Sequence, residues 1–159
     1  MRKARSNPEQ QPGPPTSGAT VTLHGSCVAV DGRAVLIRGS SGSGKSALAL
    51  QLMAYGADLV ADDQVQIQRH GNALQARAVA ALAGLIEARY FGILTAATAE
   101  TAKLCAIVDL DLVETERLPP RRVERLLEQE VQVFHRVEGA YFAAALIQLL
   151  KSGVLDPDA

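Results

Sequence analysis

Residues Gly39-Ser40-Ser41-Gly42-Ser43-Gly44-Lys45-Ser46 fill the pattern G-x-x-x-x-G-K-[ST], and each position has a chemical task. The glycines leave room for backbone N–H groups to curl around a chain of phosphates. Lys45 can reach the β and γ oxygens as a point charge, and the Ser46 hydroxyl is placed to ligate Mg²⁺. The apolar stretch Ala34–Arg38 reads as a buried strand entering this loop. Ser46–Met53 reads as a helix leaving it, with its positive end aimed at the anion. All eight residues, 39 to 46, are therefore candidates for nucleotide binding.

A second chemical feature is the pair Asp62-Asp63, just beyond the expected strand 57–61. Ligand chemistry in α/β sheets gathers at the carboxyl ends of strands, so these acids can face the phosphates. Neighbours at a strand end point in different directions: one can approach a metal or cation while the other faces a reacting hydroxyl. Two close carboxylates also suit proton transfer. A solvated turn is the simpler reading of such a pair.

The elements that must hold these groups are legible as short strands and few helices. Thr20–Leu23 and Cys27–Val30 read as strands, and Asp31-Gly32 as a hairpin turn. Val65–Gln68 and Leu74–Arg77 alternate on either side of Gly71-Asn72. Leu104–Val108 reads as a buried strand, Val131–Phe134 as an alternating one, and 139–150 as a closing helix. The expected class is α/β with a mixed central sheet. Residues 1–19 are polar and proline-rich and are expected as a disordered tail, leaving one domain over 20–155.

Composition narrows the function. The chain has 159 residues, 48% of them hydrophobic, and a formal net charge of −1. That balance suits one domain with an aliphatic core and gives no electrostatic motive for nucleic acid or a charged membrane. No stretch has the length and apolarity of a membrane span, and no secretory signal is recognisable. Cys27 and Cys105 lack metal spacing and lie in apolar runs, which predicts buried free thiols in a reducing cytoplasm.

Taken in order, His24-Gly25, the loop 39–46, Leu59-Val60-Ala61-Asp62-Asp63-Gln64-Val65 and Leu85-Ile86-Glu87-Ala88-Arg89-Tyr90-Phe91-Gly92-Ile93 resemble the HPr kinase/phosphorylase family. More closely, the chain looks like a short form without that family's amino-terminal domain. The resemblance is good from about Thr20 to Pro119 and weaker beyond. It implies a P-loop-containing kinase domain that uses ATP and Mg²⁺ to phosphorylate a serine of the phosphocarrier protein HPr, in regulation of sugar uptake or related signalling. Lys45 would bind the β and γ phosphates, and Ser46 and Glu87 would hold Mg²⁺. Asp63 would be the general base, with His24 and Arg117 completing the active site; a surface arginine in a charged loop is the equal alternative for Arg117. The resemblance also implies a cytoplasmic homo-oligomer, a trimer or hexamer. The segment 139–147, apolar nearly all round, gives an independent motive for assembly, with a core helix as the plainer reading.

Three departures stand beside the likeness. Tyr90 occupies the position where the family segment has Gly, Ala47 follows the loop serine where an acid is usual, and the later P-x-x-x-G-R-N loop tied to dephosphorylation has no counterpart. Kinase chemistry is therefore expected ahead of phosphorylase chemistry. A nucleotide-binding regulatory module without phosphotransfer is the alternative that Tyr90 motivates. A small-molecule P-loop kinase is a third, disfavoured by the lack of an Arg-rich lid.

Overall fold

The structure is a computed structural model and describes residues 18–155. Most of the expected tail lies outside the described residues. Its last two residues, Gly18 and Ala19, already hydrogen-bond to Arg69. Eleven strands and two α-helices follow among the described residues: β1 (Thr20–His24), β2 (Ser26–Val30), β3 (Arg33–Arg38), α1 (Lys45–Ala54), β4 (Asp58–Ala61), β5 (Gln64–His70), β6 (Ala73–Ala78), β7 (Leu85–Ala88), β8 (Gly92–Thr95), β9 (Thr101–Val113), β10 (Val123–Leu126), β11 (Gln129–Arg136) and α2 (Phe142–Ser152). The mixed α/β class read from the sequence is what the chain adopts.

The main sheet runs β1-β5-β6-β9-β3-β2-β4. Long β9 organises it. One edge of β9 pairs in parallel with β3, and the other pairs first with β6 and then, in parallel, with β11. Asp31 and Gly32 both take positive φ, 52° and 77°, which gives the tight β2–β3 turn its twist. Strands β7 and β8 form a separate two-stranded sheet that the apolar pattern did not announce.

Alternate residues of β2, β3 and β9 feed two cores. Val28, Val35, Ile37 and Val108 meet Leu48 and Leu52 of α1 and Leu146 and Leu150 of α2. Cys27, Leu36 and Ile107 meet Val65, Ile67 and Leu74 on the opposite face. One expectation needs correction here. Cys27 is fully buried, and burial pushes its thiol pKa far up, but Cys105 is only half-buried. Helix α2 takes the plainer of its two readings: Ala143, Leu146, Ile147 and Leu150 face the core, while Ala144, Ala145 and Gln148 are exposed. It is a core helix, so its composition no longer argues for assembly.

Candidate functional site

The phosphate loop connects the end of β3 to the start of α1, as its sequence context requires. Its first glycine is needed for space: a Cβ on Gly39 would lie 2.5 Å from Ser43 Oγ. Gly42 and Gly44 take φ of 83° and 101°, a region that favours glycine. Ser43 N donates to Ser40 O at 3.0 Å, which makes the loop's internal turn. Among the described residues, the amides of Ser41, Gly42 and Gly44 donate to no backbone acceptor. Unpaired amides at a helix N-terminus are the chemistry of an anion cradle. Lys45 Nζ rests on the carbonyls of Gly39 and Ser40, at 3.0 and 3.1 Å, which holds the ammonium on the loop.

The cradle opens into a cavity of about 800 Å³. Ser41, Gly42, Gly44, Lys45 and Ser46 line it from the loop, Asp62 and Asp63 from the end of β4, and Glu87 and Arg89 from β7 and the turn after it. Strand β4 thus delivers its two acids to the phosphate loop.

The two aspartates do face different ways. Asp62 turns inward and is buried; with Ser26 it makes up the buried polar or charged side chains among the described residues. Asp62 Oδ1 accepts hydrogen bonds from Ser26 Oγ at 2.7 Å and Ser46 Oγ at 2.8 Å, and Oδ2 accepts from Glu87 N at 3.2 Å. One carboxylate therefore ties together β2, α1 and β7. Asp63 adopts a left-handed backbone, φ 69°, that few residues other than Gly, Asn and Asp visit, and its side chain stays exposed. His24 Nδ1 lies 3.8 Å from Asp63 Oδ1. Gly25 lets this happen. Its amide donates to Asp63 O at 3.0 Å, and a Cβ there would sit 2.5 Å from the Ile37 carbonyl.

The structure therefore gathers Lys45, Ser46, Asp63 and Glu87 around one cavity, with His24 beside Asp63. Arg117 is not brought in. It is exposed in the connection between β9 and β10 and does not line the cavity. Glu114 and Arg122 clasp the base of that connection through a two-pronged ion pair. Tyr90 stands at the β7–β8 turn with φ 66° and a fully exposed side chain, so its ring points to solvent rather than into the cavity. Among the described residues no three His, Cys, Asp or Glu side chains form a ready-made metal cluster. Such a cluster is not required of Mg²⁺, which keeps several waters and takes substrate phosphates as ligands. The oxygen donors Ser46 Oγ and Glu87 fit that ion.

Sequence reasoning missed Ser26, the second donor to Asp62, because an isolated serine opening a strand carries no signal. It also missed Asp111 and Arg136. Asp111 accepts from Ser40 N and Oγ, and the Ser40 amide is the leading cause that holds its carboxyl below the ordinary value. Arg136 donates to Ser43 O.

Comparison with known proteins shows the family and the fold. Residues 17–135 match the family model described as "HPr Serine kinase C-terminal domain". The HPr kinase/phosphorylase of Cupriavidus metallidurans is 41% identical over 114 residues, 65% of this chain and 35% of that protein. The protein of the same name from Alkaliphilus metalliredigens is 46% identical over 80 residues, 50% of this chain and 26% of the relative. The chain thus aligns with about a quarter to a third of the length of these relatives. Among solved structures, the Hpr(Ser) kinase/phosphatase from Coxiella burnetii shares the fold, with a TM-score of 0.71 over 82% of this chain and 94% of that one, at 22% identity. With residues 17–135 of its 159 matched by the family model, this chain belongs to the HPr Serine kinase C-terminal domain family.

Proposed function

We propose that this protein is an ATP-dependent protein serine kinase whose acceptor is the phosphocarrier protein HPr, acting in control of sugar uptake or related carbon signalling. The observation that carries the reading is the single cavity where the anion cradle of residues 39–46 meets Asp62, Asp63 and Glu87. The relatives' names supply the acceptor, and the likeness of the ordered motifs to the family implies the active-site roles.

Phosphoryl transfer asks a protein for positioning and charge stabilisation more than for covalent chemistry. The free loop amides and Lys45 hold the β and γ phosphates of ATP. Asp62, held by three donors, orients the Ser46 hydroxyl. Asp63 keeps its carboxylate oxygens available at the cavity edge and accepts the proton of the attacking serine hydroxyl, with His24 beside it. Mg²⁺ would be held by Ser46 and Glu87 and would neutralise phosphate charge. Arg117 completes the family's set only if its connection folds toward the cavity when the acceptor docks. The acceptor oxygen must stand in line with the γ phosphate, beside Asp63. The same residue returns the proton if the transfer runs backward.

Incubation with labelled ATP, Mg²⁺ and purified HPr tests the reading, with label appearing on an HPr serine. A second reading is motivated by Tyr90, an exposed aromatic in a left-handed turn where the family motif carries glycine: a module that binds nucleotide without transferring phosphate. Tight ATP binding with no label on HPr is its signature. Assembly into a trimer or hexamer, and a cytoplasmic site of action, are part of the proposal through family likeness. No helix among the described residues is long and apolar enough to cross a membrane.

A further inference from the structure

We propose that Asp111 and Arg136 are positioning residues that pin the phosphate loop at Ser40 and Ser43 without lining the cavity, and so preset its amides for nucleotide phosphates. The inference rests on the reading of residues 39–46 as a nucleotide site. Asp111 lies near the end of β9 and Arg136 ends β11, strands that pair in parallel beside the loop. The Asp111 carboxylate accepts from Ser40 N at 2.9 Å and from Ser40 Oγ at 2.8 Å. Asp111 is itself placed by its amide, which donates to Asp109 Oδ1 at 2.9 Å. The Arg136 guanidinium bridges two carbonyls, donating from Nη2 to Ser43 O at 2.5 Å and from Nε to Leu110 O at 3.1 Å.

The placement separates support from binding. Neither residue lines the cavity, whereas Ser41, Gly42, Gly44, Lys45 and Ser46 do. The amide that Asp111 uses is Ser40's, at the loop's start, and the amides of Ser41, Gly42 and Gly44 remain free among the described residues. Asp111 is an anion near a phosphate site, yet the positive charges of Lys45 and Arg136 favour its ionised form. Ser43 Oγ is buried with no partner among the described residues, so the backbone at Ser43 is fixed by Arg136 and the turn bond to Ser40, not by its own hydroxyl. Arginine reaches the two carbonyls from separate nitrogens of one rigid planar fork, a geometry that the flexible point charge of lysine does not reproduce.

The test is calorimetric titration of ATP with Mg²⁺ into the full chain, for wild type, Arg136→Lys, Arg136→Ala and Asp111→Asn, with each unliganded protein melted in parallel. Arg136→Ala is expected to weaken ATP binding about ten- to a hundredfold, the scale of one lost charge-assisted hydrogen bond. Arg136→Lys should recover part of that loss, and Asp111→Asn should weaken binding severalfold. All folded variants should keep the wild-type circular dichroism and melting profile. Wild-type affinity in Arg136→Ala and Asp111→Asn would overturn the proposal. So would an affinity loss that merely follows a loss of melting temperature. If Arg136→Ala does not fold, Arg136→Lys decides by the same criterion. A wild-type protein that binds no ATP would remove the nucleotide site itself, and this proposal with it.

Discussion

At the scale of single residues, Asp62 and Asp63 share a sequence neighbourhood but not an environment. Asp62 is a buried acceptor of three hydrogen bonds, while Asp63 is an exposed carboxylate beside His24. Different consequences follow from mutating their surroundings. Ser26→Ala removes a buried donor to Asp62 and should lower stability by about 1.5–3 kcal/mol, the range for hydrogen bonds to charged groups. A urea midpoint unchanged from wild type would contradict the three-donor account of Asp62. Lys45→Ala removes charge rather than packing. It should abolish productive nucleotide binding with the fold intact, read by titration beside a melting curve. Ser46→Ala and Glu87→Gln should each shift the Mg²⁺ dependence of activity to higher concentration, because each removes a hard oxygen or its charge. An unchanged Mg²⁺ midpoint in Glu87→Gln would take Glu87 out of the metal's surroundings.

At the scale of elements, the phosphate loop is fastened to the sheet through ion pairs that cross strands. Arg38, the residue before the loop, pairs with Asp109 of β9 at 3.3 Å and with Glu124 of β10 at 2.7 Å. The Arg38 hydrogen bond is the main cause that holds Glu124 below its ordinary carboxylate value. Burial alone would push Glu114 up, but its pairing with Arg122 and two backbone amides outweigh that and lower it as well. A carboxyl with a lowered folded pKa contributes stability that is full above its unfolded value and is lost as pH falls through the folded value. Acidification from neutral pH to below the ordinary carboxylate range should therefore destabilise the protein, and Glu124→Gln should flatten that dependence. Parallel pH profiles of the urea midpoint for the two proteins would contradict the assignment. The same strands show why part of the fold was legible and part was not. The loop, the Asp31-Gly32 turn and the alternating β5–β6 pair carry signals within a few residues, so their sequence sufficed. The apolar run of β9 stops at Val108, yet the strand continues to Val113, because β11 pairs alongside and Arg38 neutralises Asp109 within the sheet. Nothing near Asp109 in the chain says that Arg38 will be there.

At the scale of the whole molecule, the candidate site is assembled from β1, the loop, β4 and β7, and supported from β9 and β11. The ordered motifs reported the first group, since each carries its residue types in a recognisable local pattern. The second group was silent, because the contacts of Asp111 with Ser40 and of Arg136 with Ser43 join residues 71 and 93 positions apart. Arg117 shows the converse case: family likeness alone placed it in the site, but its connection leaves it exposed and away from the cavity. Assembly is likewise an expectation of family likeness, since α2 spends its apolar face on the core. Light scattering at tens of micromolar should show a trimer or hexamer, and a monomer would contradict it. The central claim is that this cavity transfers phosphate to a protein serine with Asp63 as its base. Single-turnover phosphorylation of HPr at saturating ATP and Mg²⁺, comparing wild type with Asp63→Asn and Asp62→Asn, tests it most directly. The account predicts labelled HPr serine with wild type and a loss of about 10²- to 10⁴-fold in Asp63→Asn with ATP affinity retained. An unchanged rate in Asp63→Asn, or no transfer by a wild-type protein that binds ATP, would contradict it.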